Sequence, residues 1–101
     1  MDNLENKVEL TNEELEKVAG GNDGLVTRTV SGLKTGFLAL RSDSVYDASN
    51  ELGTLYNGDL VYSAEVYKNG YVWVYAECKK DYTYGRDAYS GYGWVNAGFL
   101  I

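Results

Sequence analysis

Cys78 is the only cysteine of the chain, and the chain has no histidine that could act as its base. It continues the alternation of Val72, Val74 and Ala76, which marks it as a small buried hydrophobe rather than a nucleophile. Asp43 with Asp47, and Asp81 with Asp87, could be drawn as the two carboxylates of a glycoside hydrolase. All four lie in polar, turn-rich segments, where carboxylates are ordinarily solvated, and neither pair has calcium-loop spacing. These residues predict no catalytic centre, no metal and no cofactor. The remaining chemistry is aromatic. Tyr71, Trp73 and Tyr75 alternate along one stretch, and Tyr92 and Trp94 along another. An exposed aromatic cluster usually marks an interaction site, so the chain is expected to bind rather than to catalyse.

The elements that must position these aromatics are strands. All ten tyrosines and both tryptophans lie beyond residue 45, among glycines and β-branched residues. The stretches 60–67 and 71–78 form the firmest pair, because Asn69-Gly70 between them is the strongest two-residue hairpin signal. Parity divides the second stretch. Val72, Val74, Ala76 and Cys78 point to a core, and Tyr71, Trp73, Tyr75 and Glu77 point away from it. Residues 25–30, 37–41 and 92–95 read as further strands, and 99–101 as an apolar close. Residues 42–51 form a polar excursion around Tyr46, and Leu52, Leu55 and Leu60 return to the core about the turn Tyr56-Asn57-Gly58-Asp59. Residues 79–90 form a long loop or hairpin tip. The fold class predicted is all-β.

Composition bounds the function. The chain has 101 residues and a net charge of −6, enough for one small domain. Residues 1–21 carry six acids and two bases, which leaves nine acids and seven bases, net −2, for residues 22–101. A surface so close to neutral argues against nucleic-acid partners and against a cationic pore-former. No apolar run is long enough to span a bilayer, so no membrane insertion is predicted. A single cysteine permits no internal disulfide and at most one thioether ring.

Leu10 to Gly21 has the marks of a short helix with a designed stop. Thr11 and Glu14 make a capping box, Leu10 and Leu15 a hydrophobic staple, and Gly20 and Gly21 end the helix. Leu4, Val8, Thr11, Leu15 and Val18 share a face. The run of Leu10, Thr11, Glu14, Leu15, Val18, Ala19, Gly20 and Gly21 resembles the double-glycine leader of peptides exported by peptidase-containing ABC transporters. The resemblance implies that the transporter's cysteine-peptidase domain docks Leu10, Leu15 and Val18 and cuts after Gly21. The glycines would fit a site too narrow for a Cβ. A helix packed on the domain would account for the cap and the stripe, but not for two successive glycines.

The succession G-F-L-A-L-R-S, L-G-T-L-Y-N-G-D-L-V, N-G-Y-V-W-V and G-W-V-N-A-G-F-L resembles the bacterial Src-homology-3-like domain. Leu40-Arg41-Ser42, Gly58-Asp59, Tyr71 to Val74 and Gly93-Trp94-Val95 carry the match, which covers about residues 32–101. Two departures stand out. The family's glycine-proline after the arginine-serine is absent, and residues 79–90 form a longer insertion. The resemblance implies a small barrel over residues 22–101 with a shallow groove for cell-wall peptides. By that analogy Tyr46, Tyr71, Trp73, Tyr75 and Trp94 line the groove. Some of these can instead cover the open side of a barrel, Trp94 above all, because Val95 anchors the same strand.

Taken together, the sequence predicts a non-enzymatic binding protein, secreted from a Gram-positive-type bacterium after cleavage of residues 1–21. Its ligand would be a cell-wall peptide or a surface protein. The alternatives are a secreted bacteriocin-like effector acting on neighbouring cells, and an intracellular adaptor whose first helix is structural.

Overall fold

The computed structural model describes residues 24–101, so the leader residues Leu10, Leu15, Val18, Gly20 and Gly21 lie outside the described part. The domain is all-β, built as a six-stranded antiparallel sheet. Its strands are β1 (Val26–Thr29), β2 (Leu38–Arg41), β3 (Glu51–Leu55), β4 (Leu60–Lys68), β5 (Tyr71–Cys78) and β6 (Tyr89–Asn96). Their spatial order is β1-β4-β5-β6-β2-β3. Short 3-10 turns at Ala48–Asn50 and Ala97–Phe99 complete the chain.

The β4–β5 hairpin joins the β1 side of the sheet to its middle pair, β5 and β6. Asn69 (φ 55°) and Gly70 (φ 82°) both take the left-handed backbone that a tight turn between twisted strands demands. The parity of β5 holds. Val72, Val74, Ala76 and Cys78 join Val30, Leu38, Leu40, Leu55, Val61 and Val95 in one apolar core. Leu60 does not join it and is 49% exposed, because it stands at the outer end of β4 opposite Thr29.

The sheet is not closed into a barrel. Its edge strands β1 and β3 do not pair with each other, and each is tied over part of its length to another segment. Thr29 exchanges backbone hydrogen bonds with Ile101 (3.2 and 2.9 Å), Ser31 N–H donates to Phe99 O (2.8 Å), and Val30 bridges Leu100. The edge of β3 is tied to a small hairpin in which Asp81 and Arg86 exchange backbone hydrogen bonds (2.8 and 2.9 Å). Thr54 Oγ1 donates to Asp81 Oδ2 (2.8 Å), and Arg86 pairs with Glu51. Covering an edge removes a template for unwanted strand pairing as closure does.

Two glycines let these layers come together. A Cβ at Gly93 would lie 2.7 Å from Arg41 O and 2.9 Å from Leu40, so only glycine allows β2 to approach β6 beside Trp94. A Cβ at Gly53 would lie 2.7 Å from Cys78, where β3 crosses the core.

The second face of the sheet departs from expectation. Trp73 is 1% exposed and Trp94 4%, and with Tyr71 they form a second apolar cluster. Its cover comes from an irregularity in β4. Ser63 pairs with Val74 and Tyr67 with Val72, so the bulged side carries two extra residues. Glu65 sits in the bulge at φ 58°, and its N–H donates to Ser63 Oγ (3.0 Å). Ala64 and Val66, on either side of it, pack against the tryptophans. Arg28 Nε donates to Glu65 Oε2 (3.0 Å) and ties the bulge to β1.

Candidate functional site

The excursion after β2 is held by the strand it leaves. Arg41 is 6% exposed, and its Nη1 donates to Asp47 O (2.9 Å) and to Asn50 Oδ1 (3.0 Å). Glu51 lies 3.6 Å from the same nitrogen and compensates its charge. Asp47 caps the 3-10 turn by accepting from Ser49 N–H (3.0 Å) and Ser49 Oγ (2.9 Å), and these bonds hold its carboxyl below the usual range. Asn50 Nδ2 donates back to Val45 O (3.0 Å), and Ser42 N–H donates to Asn50 O (2.9 Å). Polar side chains thus shape the excursion where the glycine-proline expected by analogy is missing. Asn69, in the β4–β5 turn, reaches Ser44 Oγ (3.3 Å) and brings the hairpin tip against the excursion.

Tyr46 stands at the tip of this braced segment and is 84% exposed. The Arg41 guanidinium lies 4.7 Å from its ring centroid, a cation–π contact that orients an otherwise free ring. Beside it runs a groove of about 210 Å³, whose lining includes Leu33, Thr35, Phe37, Arg41, Tyr46, Tyr71, Asn96 and Phe99. Part of this lining is fixed by the edge-on packing of Phe37 and Tyr84 (4.9 Å) and by Asn57, whose amide bonds both Leu33 N–H (3.0 Å) and Leu33 O (2.8 Å). Aromatic and apolar side chains with Arg41, Thr35 and Asn96 among them can hold a ligand that has both apolar and hydrogen-bonding groups.

Of the five aromatics expected in a groove, the structure brings two together. Tyr46 and Tyr71 line it. Trp73 and Trp94 lie buried in edge contact (5.2 Å), so they support the sheet and do not line the groove. Burial of Trp94 follows the reading in which it covers the sheet, while for Trp73 the groove reading gives way, because Ala64, Val66 and Tyr92 pack against their cluster. Tyr75 is half-buried in a row with Tyr92 (5.3 Å) and Tyr62 (6.5 Å), apart from the groove. Tyr92 in turn stacks on Trp73 (5.8 Å, 9°). Trp73 Nε1 is buried with no hydrogen-bond partner among the described residues. Phe37, Thr35 and Asn96 were missed by the sequence reading. Phe37 lies just ahead of a strand and carries no polar signal of its own.

The thiol and the carboxylates singled out in the sequence lie in the following surroundings. Burial, with Asp59 nearby, pushes the Cys78 thiol up to about 12, so it stays protonated and inert. Asp81 accepts from Tyr56 Oη, Thr54 Oγ1 and Tyr84 N–H and is held below the usual carboxylate range, chiefly by the tyrosine. Asp43 accepts from Ser44 N–H (2.8 Å), and Asp87 is an exposed partner of Lys80 (3.6 Å). Among the described residues no group of three or more His, Cys, Asp or Glu side chains could hold a metal ion.

Comparison with protein-family models, with curated proteins and with solved structures finds no match for this chain.

Proposed function

We propose that residues 22–101 are a non-enzymatic binding domain of the bacterial Src-homology-3-like type, exported after a transporter peptidase cuts behind Gly21. Its ligand is an extended peptide of the bacterial cell wall. The observation that carries this reading is the position of Tyr46. A large aromatic ring, exposed yet stacked on a buried arginine, stands over a groove floored by Tyr71. A ring held in place before the ligand arrives loses little freedom on binding, which favours affinity in a shallow site. The return of residues 99–101 onto the end of β1 supports the domain type, because it brings the first strand and the last of the described residues together without closing the sheet.

Titration of the protein with a soluble stem peptide, followed by amide chemical shifts, tests the reading. Shifts at Thr35, Tyr46, Tyr71 and Asn96 are expected. Shifts confined to the Tyr62–Tyr75–Tyr92 row would move the site to the other aromatic surface. The export step has its own test. Gly20→Val adds bulk one residue before the scissile Gly21–Asn22 bond, and a cognate transporter peptidase is expected to leave that variant uncut.

A further inference from the structure

A second concavity, of about 320 Å³, opens between the β3–β4 turn and the 81–86 hairpin. Its lining includes Thr54, Tyr56, Asp59, Lys79, Asp81 and Tyr82. None of these residues lines the groove beside Tyr46. Tyr82 is 83% exposed, the largest exposure of any aromatic here besides Tyr46, and the Lys80 ammonium lies 5.6 Å from its ring centroid. The ring therefore keeps a free face toward solvent. The floor is polar and rigid. Asp81 is 7% exposed and fixed by Thr54 Oγ1, Tyr56 Oη and Tyr84 N–H, and Asp59 Oδ2 accepts from Tyr56 N–H (2.8 Å).

We infer that this cleft is a second binding site, and that its ligand is a neutral saccharide. The charges decide the class. Lys79 and Lys80 face Asp59 and Asp81, and Lys80 is shared with Asp87 (3.6 Å), so no excess of positive charge is left for an anion. Asp81 spends its acceptor sites on Tyr56, Thr54 and Tyr84 N–H, which leaves little for a cation. What it offers instead is a dense mixture of hydrogen-bonding groups. Tyr56, 37% exposed, spends its hydroxyl proton on Asp81 and keeps an acceptor lone pair, while the buried Thr54 holds Asp81 in place from below. Asp59 Oδ1 accepts further bonds, and Lys79 donates. A sugar ring presents hydroxyls that both donate and accept, and it has an apolar C–H face that an exposed tyrosine can cover. The hydrogen bond to Asp81 pushes Tyr56 up to about 12, so the hydroxyl remains a fixed donor and the floor keeps its geometry at physiological pH.

The test is an amide chemical-shift titration of the full chain with chitotetraose, cellotetraose and maltotetraose, with inorganic phosphate as the anionic control. Saturable shifts at residues 54–59 and 79–83 with at least one of the saccharides are expected. Tyr82→Ala is expected to weaken that binding by about tenfold or more, as loss of a central aromatic does. Tyr82→Phe is expected to retain it, and Tyr46→Ala to leave it unchanged. Tyr82 is so exposed that its removal should not unfold the domain, and an unchanged thermal midpoint checks this. No saturable shift with any of the three saccharides would overturn the inference. So would phosphate binding at the same residues, or saccharide binding that survives Tyr82→Ala.

Discussion

At the scale of single residues, the sheet separates side chains that hold the fold from side chains free to act. Trp73 belongs with the first. It is 1% exposed and stacked on Tyr92, so Trp73→Ala is expected to cost about 3–5 kcal/mol, more than the roughly 2 kcal/mol expected for Val74→Ala. Denaturant titration of both variants checks the order, and a smaller loss for Trp73 would mean that its burial contributes little. Cys78 is the converse of a reactive thiol. With its thiol pushed up to about 12 by burial, it should resist iodoacetamide at pH 8 in the folded protein and react once the protein is unfolded in urea. Fast labelling of the native state, read by mass spectrometry, would contradict the buried position.

At the scale of elements, the β4 bulge and the close approach of β2 to β6 are the devices that shape both faces. Arg28 holds Glu65 across the bulge, and its hydrogen bond is the main reason that the Glu65 carboxyl lies at about 2, well below 4.5. A carboxyl depressed in the folded state contributes stability that is fully present above its unfolded value and is lost as pH falls through the folded one. The loss attributable to Glu65 is therefore expected between about pH 4.5 and pH 2. Glu65→Gln should flatten that limb of the stability curve without abolishing it, because Asp47 and Asp81 are also held low. An unaltered acid limb in melts from pH 2 to 7 would remove Glu65 from the account. Gly93→Ala forces a carbon within 2.7 Å of the Arg41 carbonyl and is expected to destabilise by about 1–3 kcal/mol.

The same devices explain how much was legible in the sequence. The Asn69-Gly70 turn and the parity of β5 follow from local rules, and so did the core side of the sheet. The other side did not. Period-two reading assumes an unbroken ladder, and nothing in Ser63-Ala64-Glu65-Val66 announces two extra residues. Trp73 stands on the face opposite Val72 and Val74, as its parity implies, and Ala64 and Val66 from the irregular part of β4 pack against its cluster. Leu52 and Leu55 read from the sequence only as returns to the core, and Gly53 between them is what lets β3 cross Cys78. β6 begins at Tyr89, ahead of the stretch 92–95 expected from the sequence. In the groove, Tyr46 and Tyr71 were legible as aromatics, while Phe37, Thr35 and Asn96 depend on long-range contacts that no local pattern encodes.

At the scale of the whole molecule, the account is a braced sheet that presents one pre-formed aromatic groove. All six strands lie within residues 24–101, so removing residues 1–21 is expected to preserve a single cooperative thermal transition. The central claim is that the groove beside Tyr46 binds cell wall. Tyr46 is 84% exposed, so Tyr46→Ala can remove binding without touching the core. The direct measurement is sedimentation of residues 22–101 with purified Gram-positive cell wall, for the parent and for Tyr46→Ala, with melting curves on both. The parent is expected to co-sediment, and Tyr46→Ala to stay in solution with its melting midpoint essentially unchanged. A parent that does not sediment, or a folded Tyr46→Ala variant that still does, would contradict that claim.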